Sequence, residues 1–197
     1  MNDRPRILGI AGSLRSASVN HLFLRAMALI KPTGVDFSLY HDLQLLPLFN
    51  PDNECKPGAE VLRWRAALTS ADMILLASPE YAHGVTGVIK NALDWVVGSG
   101  ELMDKYLAFP NLSMRATLAQ SQLSDTLHIL GCRQIASCSP QSTPENPLIL
   151  PNYNEQQLLA HCRTGPCLHL LWVNIHNTLL AEADNENNKR AQSRHLW

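Results

Sequence analysis

Apolar positions along the chain follow two alternating patterns, short continuous runs and longer stretches with a helical period. The runs are typical of strands buried on both faces, and the periodic stretches predict amphipathic helices. Strands are predicted at 6–11, 35–40, 72–79, 106–112 and 134–138. Helices are predicted at 20–30, 59–70, 86–97, 115–130 and 155–183, the last with a break at Gly165 and Pro166. Ser18 is placed as the N-cap of the first helix and Gly131 as the C-terminal cap of the fourth.

The alternation of strands and helices predicts an α/β fold, with one parallel sheet covered by helices on both faces. We expect a single domain over residues 1–184, followed by a polar C-terminal tail at 185–197. Ligands of such sheets bind beyond the carboxyl ends of the strands, where the strand order reverses. The loops that follow the first and third predicted strands are therefore the candidates for a binding site.

Composition and charge narrow the possible functions. The chain of 197 residues has a formal net charge of −1, so neither nucleic acid nor a membrane is expected as a partner. No apolar run has the length of a signal peptide or a membrane span, and a cytoplasmic location is expected. The five cysteines are expected to be reduced thiols that pack as small apolar side chains. The histidines and cysteines between 161 and 176 lack the spacing of a zinc site, so no metal is expected.

The loop after the first strand reads GSLRSASVN over residues 12–20. It offers three serine hydroxyls, the guanidinium of Arg15, the amide of Asn20 and the free N–H groups of a helix start. Such donors, together with the positive end of the helix dipole, suit a terminal phosphate. The loop has neither the lysine of a P-loop nor the spaced glycines of a dinucleotide fingerprint. An ordinary serine-capped helix start would show the same residues, so the loop alone leaves both interpretations open.

The loop after the third strand reads SPEYAHGVTGVIKNALDW over residues 78–95. Pro79 ends the strand, and Gly84 allows the backbone to bend or to be approached closely. Backbone N–H groups exposed in such a loop suit a flat heterocycle with polar edges, and Tyr81 adds a ring face. Tyr81 and Trp95 are also compatible with a purely structural role as core or interface aromatics.

Together, the stretches GIAGSLRSASVN and SPEYAHGVTGVIKNALDW resemble the NADPH-dependent FMN reductase family. These are flavodoxin-like flavoproteins that include quinone, chromate and azo-dye reductases. The resemblance covers roughly the first 140 residues, including the spacing of the elements between the two motifs. It implies a flavodoxin-like, five-stranded parallel sheet of order 2-1-3-4-5, with FMN at the switch between the first and third strands.

The resemblance also implies which residues bind the cofactor. The FMN phosphate would be held by Ser13, Arg15, Ser18, Val19 and Asn20. The isoalloxazine ring would lie along Pro79, Glu80, Tyr81, Ala82 and Gly84, mostly against backbone atoms, with Glu80 as a positioned neighbour rather than a catalytic acid. A third loop, after the fourth strand, offers Ser113 and Arg115 as further candidates.

The chain departs from many members of the family at two places. It has Ala82 where many relatives carry asparagine, and Ser113, Met114 and Arg115 where many have a glycine-rich third loop. Both departures bear on how exposed the flavin is and on which acceptor it prefers.

The activity implied is that of an FMN-dependent NAD(P)H oxidoreductase. NADPH or NADH would deliver hydride to flavin N5, and a small acceptor (free flavin, a quinone, an azo compound or a metal oxyanion) would then take up the electrons. Because the cofactor carries the chemistry, no catalytic side chain is assigned. Two alternatives remain open: a flavodoxin-type FMN electron carrier, which the near-neutral charge disfavours, and a non-catalytic relative.

Association of chains is also expected. Trp64, Trp95, Trp172 and the apolar stretch 168–180 provide more aromatic and aliphatic surface than one sheet needs, although core packing explains much of it. The resemblance points the same way, to a homodimer or homotetramer whose partner chain borders the flavin site.

Overall fold

The computed structural model describes residues 4–194, with side chains described up to residue 181. In chain order, its helices and strands are β1 (Arg6–Ala11), α1 (Val19–Leu29), β2 (Asp36–Tyr40), α2 (Ala59–Ser70), β3 (Met73–Ala77), β4 (Glu80–Tyr81), β5 (Gly84–Val85), α3 (Gly87–Asp94), β6 (Tyr106–Ala108), α4 (Leu118–Ile129), β7 (Arg133–Gln134), α5 (Glu155–Ala160) and α6 (Thr164–Arg194). Short 3₁₀ turns lie at Leu43–Leu45, Pro51–Asn53 and Ala136–Cys138.

Five strands form one parallel sheet in the order β2-β1-β3-β6-β7. The two remaining strands, β4 and β5, pair with each other as a separate antiparallel hairpin. When the hairpin is set aside, the order is the flavodoxin-like 2-1-3-4-5. The predicted fold class is therefore confirmed, and the order reverses between β1 and β3 as expected.

The register of β1 on β3 separates the core into two layers. Ile7 lies opposite Met73, and Leu8 opposite Ile74. Since successive side chains in a strand point to opposite faces, Ile7 and Met73 pack with α1 and α6, whereas Leu8 and Ile74 pack with α2, α3 and α4. Burial on both faces explains why β3 appears in the sequence as a continuous apolar run.

Some predicted strands and helices have the observed boundaries, and others are longer than the elements in the structure. Strand 6–11 and helix 59–70 are reproduced to the residue. The fourth predicted strand stops at Ala108, two residues before Pro110, which has no N–H to donate to the sheet. The fifth ends at Gln134, because the Cys138 N–H bonds locally to the Ile135 carbonyl and closes a 3₁₀ turn.

The break in the last helix was misplaced by the sequence pattern. The interruption lies at 161–163, between α5 and α6, and Gly165 and Pro166 belong to the first turn of α6. Proline is tolerated in a first turn because its missing N–H has no acceptor there. His161 supplies the capping group, since its Nδ1 accepts a hydrogen bond from the Thr164 N–H at 3.2 Å. Helix α6 continues to Arg194, through most of the segment predicted as a polar tail.

The predicted helix caps are confirmed. The Ser18 hydroxyl accepts a hydrogen bond from the Asn20 N–H at 3.1 Å. Gly131 follows α4 with φ of +75°, a conformation that glycine adopts without steric cost. No helix in the described part of the chain combines the length and apolar character that a bilayer crossing requires.

All five cysteines are free thiols, but they differ in burial. Cys132 and Cys138 are buried and pack in the two core layers, as expected. Burial raises the pKa of the Cys132 thiol to about 11, so this thiol stays protonated at neutral pH. Cys55 and Cys162 are exposed, which corrects the expectation that the thiols all pack as core residues.

Candidate functional site

The loops that follow β1 and β3 meet at the carboxyl edge of the sheet. The Gly12 N–H donates to the Ala77 carbonyl at 2.8 Å and extends the pairing of the two strands by one bond. Beyond it, the Ser13 hydroxyl lies 3.2 Å from the Tyr81 hydroxyl, within hydrogen-bond distance. The two motifs that carry the family resemblance are thus joined directly at one rim.

Gly12 makes this close approach possible. A Cβ atom at position 12 would lie 2.7 Å from Ser78 Cβ and 2.8 Å from Ile89 Cγ1, closer than nonbonded carbon atoms approach. Any larger residue would push the first loop away from the second. This glycine was not among the predicted site residues, although its position directly after a buried strand is a usable signal.

The first loop buries its polar groups at the start of α1. Ser13 and Asn20 are each 2% exposed, and Ser18 is also buried. Ser18 caps the helix through the Asn20 N–H, while the N–H groups of Val19 and His21 have no acceptor among the described residues. These free donors at a helix start form the kind of site that binds a phosphate.

Asn20 shows that the loop has an incomplete set of hydrogen bonds. Its Nδ2 donates to Ser18 Oγ at 3.3 Å, but its buried Oδ1 has no partner in the described part of the chain. A 180° rotation of the amide would let Oδ1 accept from the Ser18 hydroxyl and would free Nδ2 as a donor. The residues present therefore fit an anionic ligand such as the FMN phosphate.

The second loop is a hairpin with an unusual two-residue turn. Ala82 and His83 have φ of 48° and 61°, the left-handed conformation at both central positions. Turns of this type favour Asn-Gly, because a side chain in this conformation costs about 1–2 kcal/mol. The departure at Ala82 thus places a strained residue at the tip of the loop predicted to contact the flavin.

Glu80 holds the hairpin against α4. Its Oε2 accepts a hydrogen bond from the Ala119 N–H at 2.8 Å, in the first turn of that helix. Its Oε1 lies 3.4 Å from His83 Nδ1, and the side chain is only 14% exposed. The Gln122 side chain adds a second tie by accepting from the Val85 N–H at 3.3 Å. Glu80 is therefore a helix-capping group that ties the hairpin to α4.

The third loop is braced by its own hydrogen bonds. Asn111, 3% exposed, donates to the Ala116 carbonyl at 2.7 Å and accepts from the Ser113 N–H at 3.1 Å. The Ser113 hydroxyl accepts from the Arg115 N–H at 3.1 Å, and Gln141 donates to the Ser113 carbonyl at 2.7 Å. Ser113 itself is exposed. The sequence did not single out Asn111, the residue that shapes this loop.

The predicted site residues differ in accessibility. Those of the first and second loops share one rim through the contacts already described, whereas no hydrogen bond joins Ser113 directly to either loop. The buried ones are Ser13, Ser18 and Asn20, the half-buried ones are Pro79, Glu80 and Gly84, and the exposed ones are Arg15, Val19, Tyr81, Ala82 and Ser113. Among residues 4–181, whose side chains the structure describes, no group of three or more His, Cys, Asp or Glu side chains is placed to hold a metal ion.

Comparison with known families shows to which family the chain belongs. The profile of the family described as NADPH-dependent FMN reductase matches residues 5–142, a span that contains all three loops. The chain belongs to the NADPH-dependent FMN reductase family. FMN is the cofactor of this family, and the cofactor predicted from the two motifs is confirmed at the level of the family.

Individual relatives agree with this assignment. An NAD(P)H-dependent FMN reductase of Pseudomonas aeruginosa is 40% identical over 98 residues, which are 48% of this chain and 51% of the relative. An NAD(P)H:quinone oxidoreductase of Solanum tuberosum is 39% identical over 97 residues, 46% of this chain and 48% of that protein. The chain thus spans about half the length of the curated relatives it matches.

Solved structures share the fold. The NAD(P)H:(acceptor) oxidoreductase FerB of Paracoccus denitrificans is 27% identical with a TM-score of 0.62, over 69% of this chain and 78% of FerB. RosB, solved with a bound formylriboflavin phosphate, has a TM-score of 0.63 at 15% identity, over 97% of this chain and 87% of RosB. At the lower identity the likeness shows the fold alone.

Relief of the strained turn gives a first prediction. Ala82→Gly should stabilise the flavin-free protein by about 0.5–1 kcal/mol, because the left-handed penalty removed exceeds the entropy that glycine adds to the unfolded chain. Urea unfolding measures the effect. Ala136→Gly, at an exposed residue without positive φ, is the control and should lose stability. Equal losses of unfolding free energy in the two variants would contradict the claim that Ala82 is strained.

The anchoring role of Glu80 gives a second prediction. Glu80→Ala should lower the free energy of unfolding by about 1 kcal/mol, since the first turn of α4 loses an N–H acceptor. Glu80→Gln keeps an acceptor oxygen and should retain most of that stability. The exposed Glu145 serves as the control through Glu145→Ala in the same urea titration. A Gln variant as unstable as the Ala variant would show that the hydrogen bond is not the cause.

Proposed function

We propose that this chain is an FMN-dependent NAD(P)H oxidoreductase that passes electrons from a nicotinamide nucleotide to a small acceptor of the quinone or flavin type. The observation that carries the proposal is the Ser13–Tyr81 contact, which brings the two family motifs to one rim. The printed names of the relatives, FMN reductase and quinone oxidoreductase, support the same class of reaction. Chromate and azo compounds remain further candidate acceptors from the family resemblance.

In this proposal the residues of the chain bind and orient, and FMN performs the redox step. Ser18, Asn20 and the free N–H groups of the first turn of α1 hold the phosphate. The hairpin β4–β5, fixed to α4 by Glu80, supports the ring. When bound, FMN would supply the redox chemistry that carries electrons from the nicotinamide to the acceptor.

The rim is open where donor and acceptor need to enter. Tyr81 is 54% exposed, and the side chains at the hairpin tip are also exposed. A shared, open site suits a reaction in which the donor leaves before the acceptor binds. Positioning of the donor, and then of the acceptor, over the flavin accelerates the reaction without a nucleophile or a general base from the protein.

A homodimer or homotetramer is part of the proposal and stays a prediction. Leu170, Val173 and Leu180 are each more than half exposed on α6, which leaves an apolar strip on this helix. Such surface supports association of chains.

Retention of FMN tests the site. Asn20→Ala and Ser18→Gly should each raise the Kd for FMN about tenfold or more, because a hydrogen bond to a charged group contributes about 1.5–3 kcal/mol. Glycine preserves the N-cap of α1 in the second variant. Fluorescence titration of FMN measures both, and the exposed Asn177 provides the control variant Asn177→Ala. Unchanged affinity in both site variants would contradict the assignment of the phosphate site.

The activity is tested by anaerobic stopped-flow absorbance of the FMN-loaded protein. NADPH or NADH should bleach the flavin bands, and a benzoquinone added afterwards should restore them. A protein that binds FMN but is reduced by neither nucleotide would instead be an electron carrier. A protein that fails to take up FMN would overturn the proposal in favour of a non-catalytic relative.

A further inference from the structure

The third loop, which leads from β6 to α4, repeats the local structure of the first loop. Both contain a serine, an apolar residue and an arginine in succession, at residues 13–15 and 113–115. In each loop the serine hydroxyl accepts a hydrogen bond from the arginine N–H, at 3.3 Å in the first loop and 3.1 Å in the third. Leu14 and Met114, between the bonded residues, are more than half exposed. Each loop therefore presents an apolar side chain next to an arginine.

The arginines of these two loops have no protein partner. Most arginines with described side chains pair with a carboxylate or donate to a carbonyl, namely Arg6, Arg25, Arg63, Arg65, Arg133 and Arg163. The guanidinium groups of Arg15 and Arg115 make no ion pair or hydrogen bond within the described part of the chain, and both residues are exposed. Apart from Arg4, which precedes β1, these are the described arginines whose charge is left for a ligand.

The third loop lies beside the hairpin β4–β5 at the carboxyl edge of the sheet. Strands β1 and β6 pair on opposite sides of β3, so the first and third loops leave the sheet about 10 Å apart, two strand spacings. The third loop runs directly into α4, where the Ala119 N–H donates to Glu80 of the hairpin at 2.8 Å. Arg115 is four residues before Ala119, so its Cα lies within about 14 Å of that helix start. The first and third loops thus flank the hairpin that follows β3.

The charge around this rim is positive, although the chain as a whole carries −1. The first and third loops contain no carboxylate, and Glu80 is the only one in residues 78–87. Both Glu80 oxygens are engaged, one by the Ala119 N–H at 2.8 Å and one with His83 Nδ1 at 3.4 Å. A guanidinium without a competing carboxylate attracts anionic ligands and binds them with charge-assisted hydrogen bonds.

We propose that Arg115 selects the electron acceptor, and that the preferred acceptor joins a flat apolar ring to an anionic group such as a sulfonate or a carboxylate. The inference rests on the proposed function, in which Arg15 serves the FMN phosphate and Arg115 stays available for a second anion. A guanidinium can donate two parallel hydrogen bonds to such a group. The exposed thioether of Met114 suits contact with an aromatic ring, a contact that an inorganic anion would not make.

The test compares a charged and a neutral acceptor with the same ring system. Arg115→Gln removes the charge and should lower kcat/KM for 1,4-naphthoquinone-2-sulfonate at least about fivefold, the factor that corresponds to an ion pair at a partly exposed site. In the same variant, kcat/KM for 1,4-naphthoquinone, the KM for NADPH and for NADH, and the Kd for FMN should stay unchanged. Arg115→Lys keeps the charge and should retain most of the preference. Arg4→Gln, at an exposed arginine before β1, is the matched control and should change none of these values.

Four outcomes would overturn the inference. An equal fall in kcat/KM for both quinones, or no fall for either, would show that Arg115 does not recognise the charge of the acceptor. A higher KM for NADPH alone would assign Arg115 to the donor, and weaker binding of FMN would assign it to the cofactor. A fall of the same size in Arg4→Gln would show that the net charge of the protein is the cause.

A calorimetric titration of the FMN-loaded protein provides a readout that needs no turnover. Naphthalene-2-sulfonate should bind more tightly than the neutral naphthalene-2-sulfonamide, and Arg115→Gln should remove the difference. Inorganic sulfate at equal concentration should not displace the naphthalene sulfonate; if it does, the loop binds any small anion and the inference fails. If neither NADPH nor NADH reduces the flavin, the proposed function fails, and this titration still decides whether Arg115 recognises an anionic aromatic ligand.

Discussion

The contact between the loops after β1 and β3 is the constraint on which the site depends. Ser13 and Tyr81 are 68 positions apart in the chain, yet their hydroxyls lie 3.2 Å from each other. Parallel pairing of β1 with β3 brings the two strand ends side by side, and the extra bond from Gly12 to Ala77 continues that pairing into the loops. Because a side chain at position 12 would collide with Ser78, this approach requires glycine.

The second loop is held from outside rather than by its own turn. Its two central residues occupy the left-handed region, so the hairpin on its own would be strained. Hydrogen bonds from Ala119 to Glu80 and from Val85 to Gln122 fix it to α4. A loop tied to a helix in this way keeps its shape when one ligand leaves and another enters, as the proposed exchange of donor and acceptor requires.

Much of the fold was predictable because its main signals are local. The continuous apolar run of β3 and the serine cap of α1 each depend on neighbouring residues, and both were found. The hairpin β4–β5 escaped prediction, since two-residue strands carry no pattern and its Ala-His turn lacks the usual Asn-Gly signal. The break before α6 was misplaced because the cap comes from the side chain of His161, whereas Gly165 and Pro166 gave the stronger sequence signal.

The candidate site was predictable only in its parts. The residues of each loop stand together in the sequence, but the contacts that join the loops span tens of residues and leave no local trace. Long-range pairing of strands, rather than any motif, brings these groups together.

The crystal structure of the FMN-loaded protein is the most direct test of the central claim that the two loops bind one cofactor. The account predicts the FMN phosphate within about 2.7–3.2 Å of Ser18 and Asn20, with the ring against the hairpin β4–β5. A phosphate bound elsewhere, or a ring that does not contact this hairpin, would contradict it.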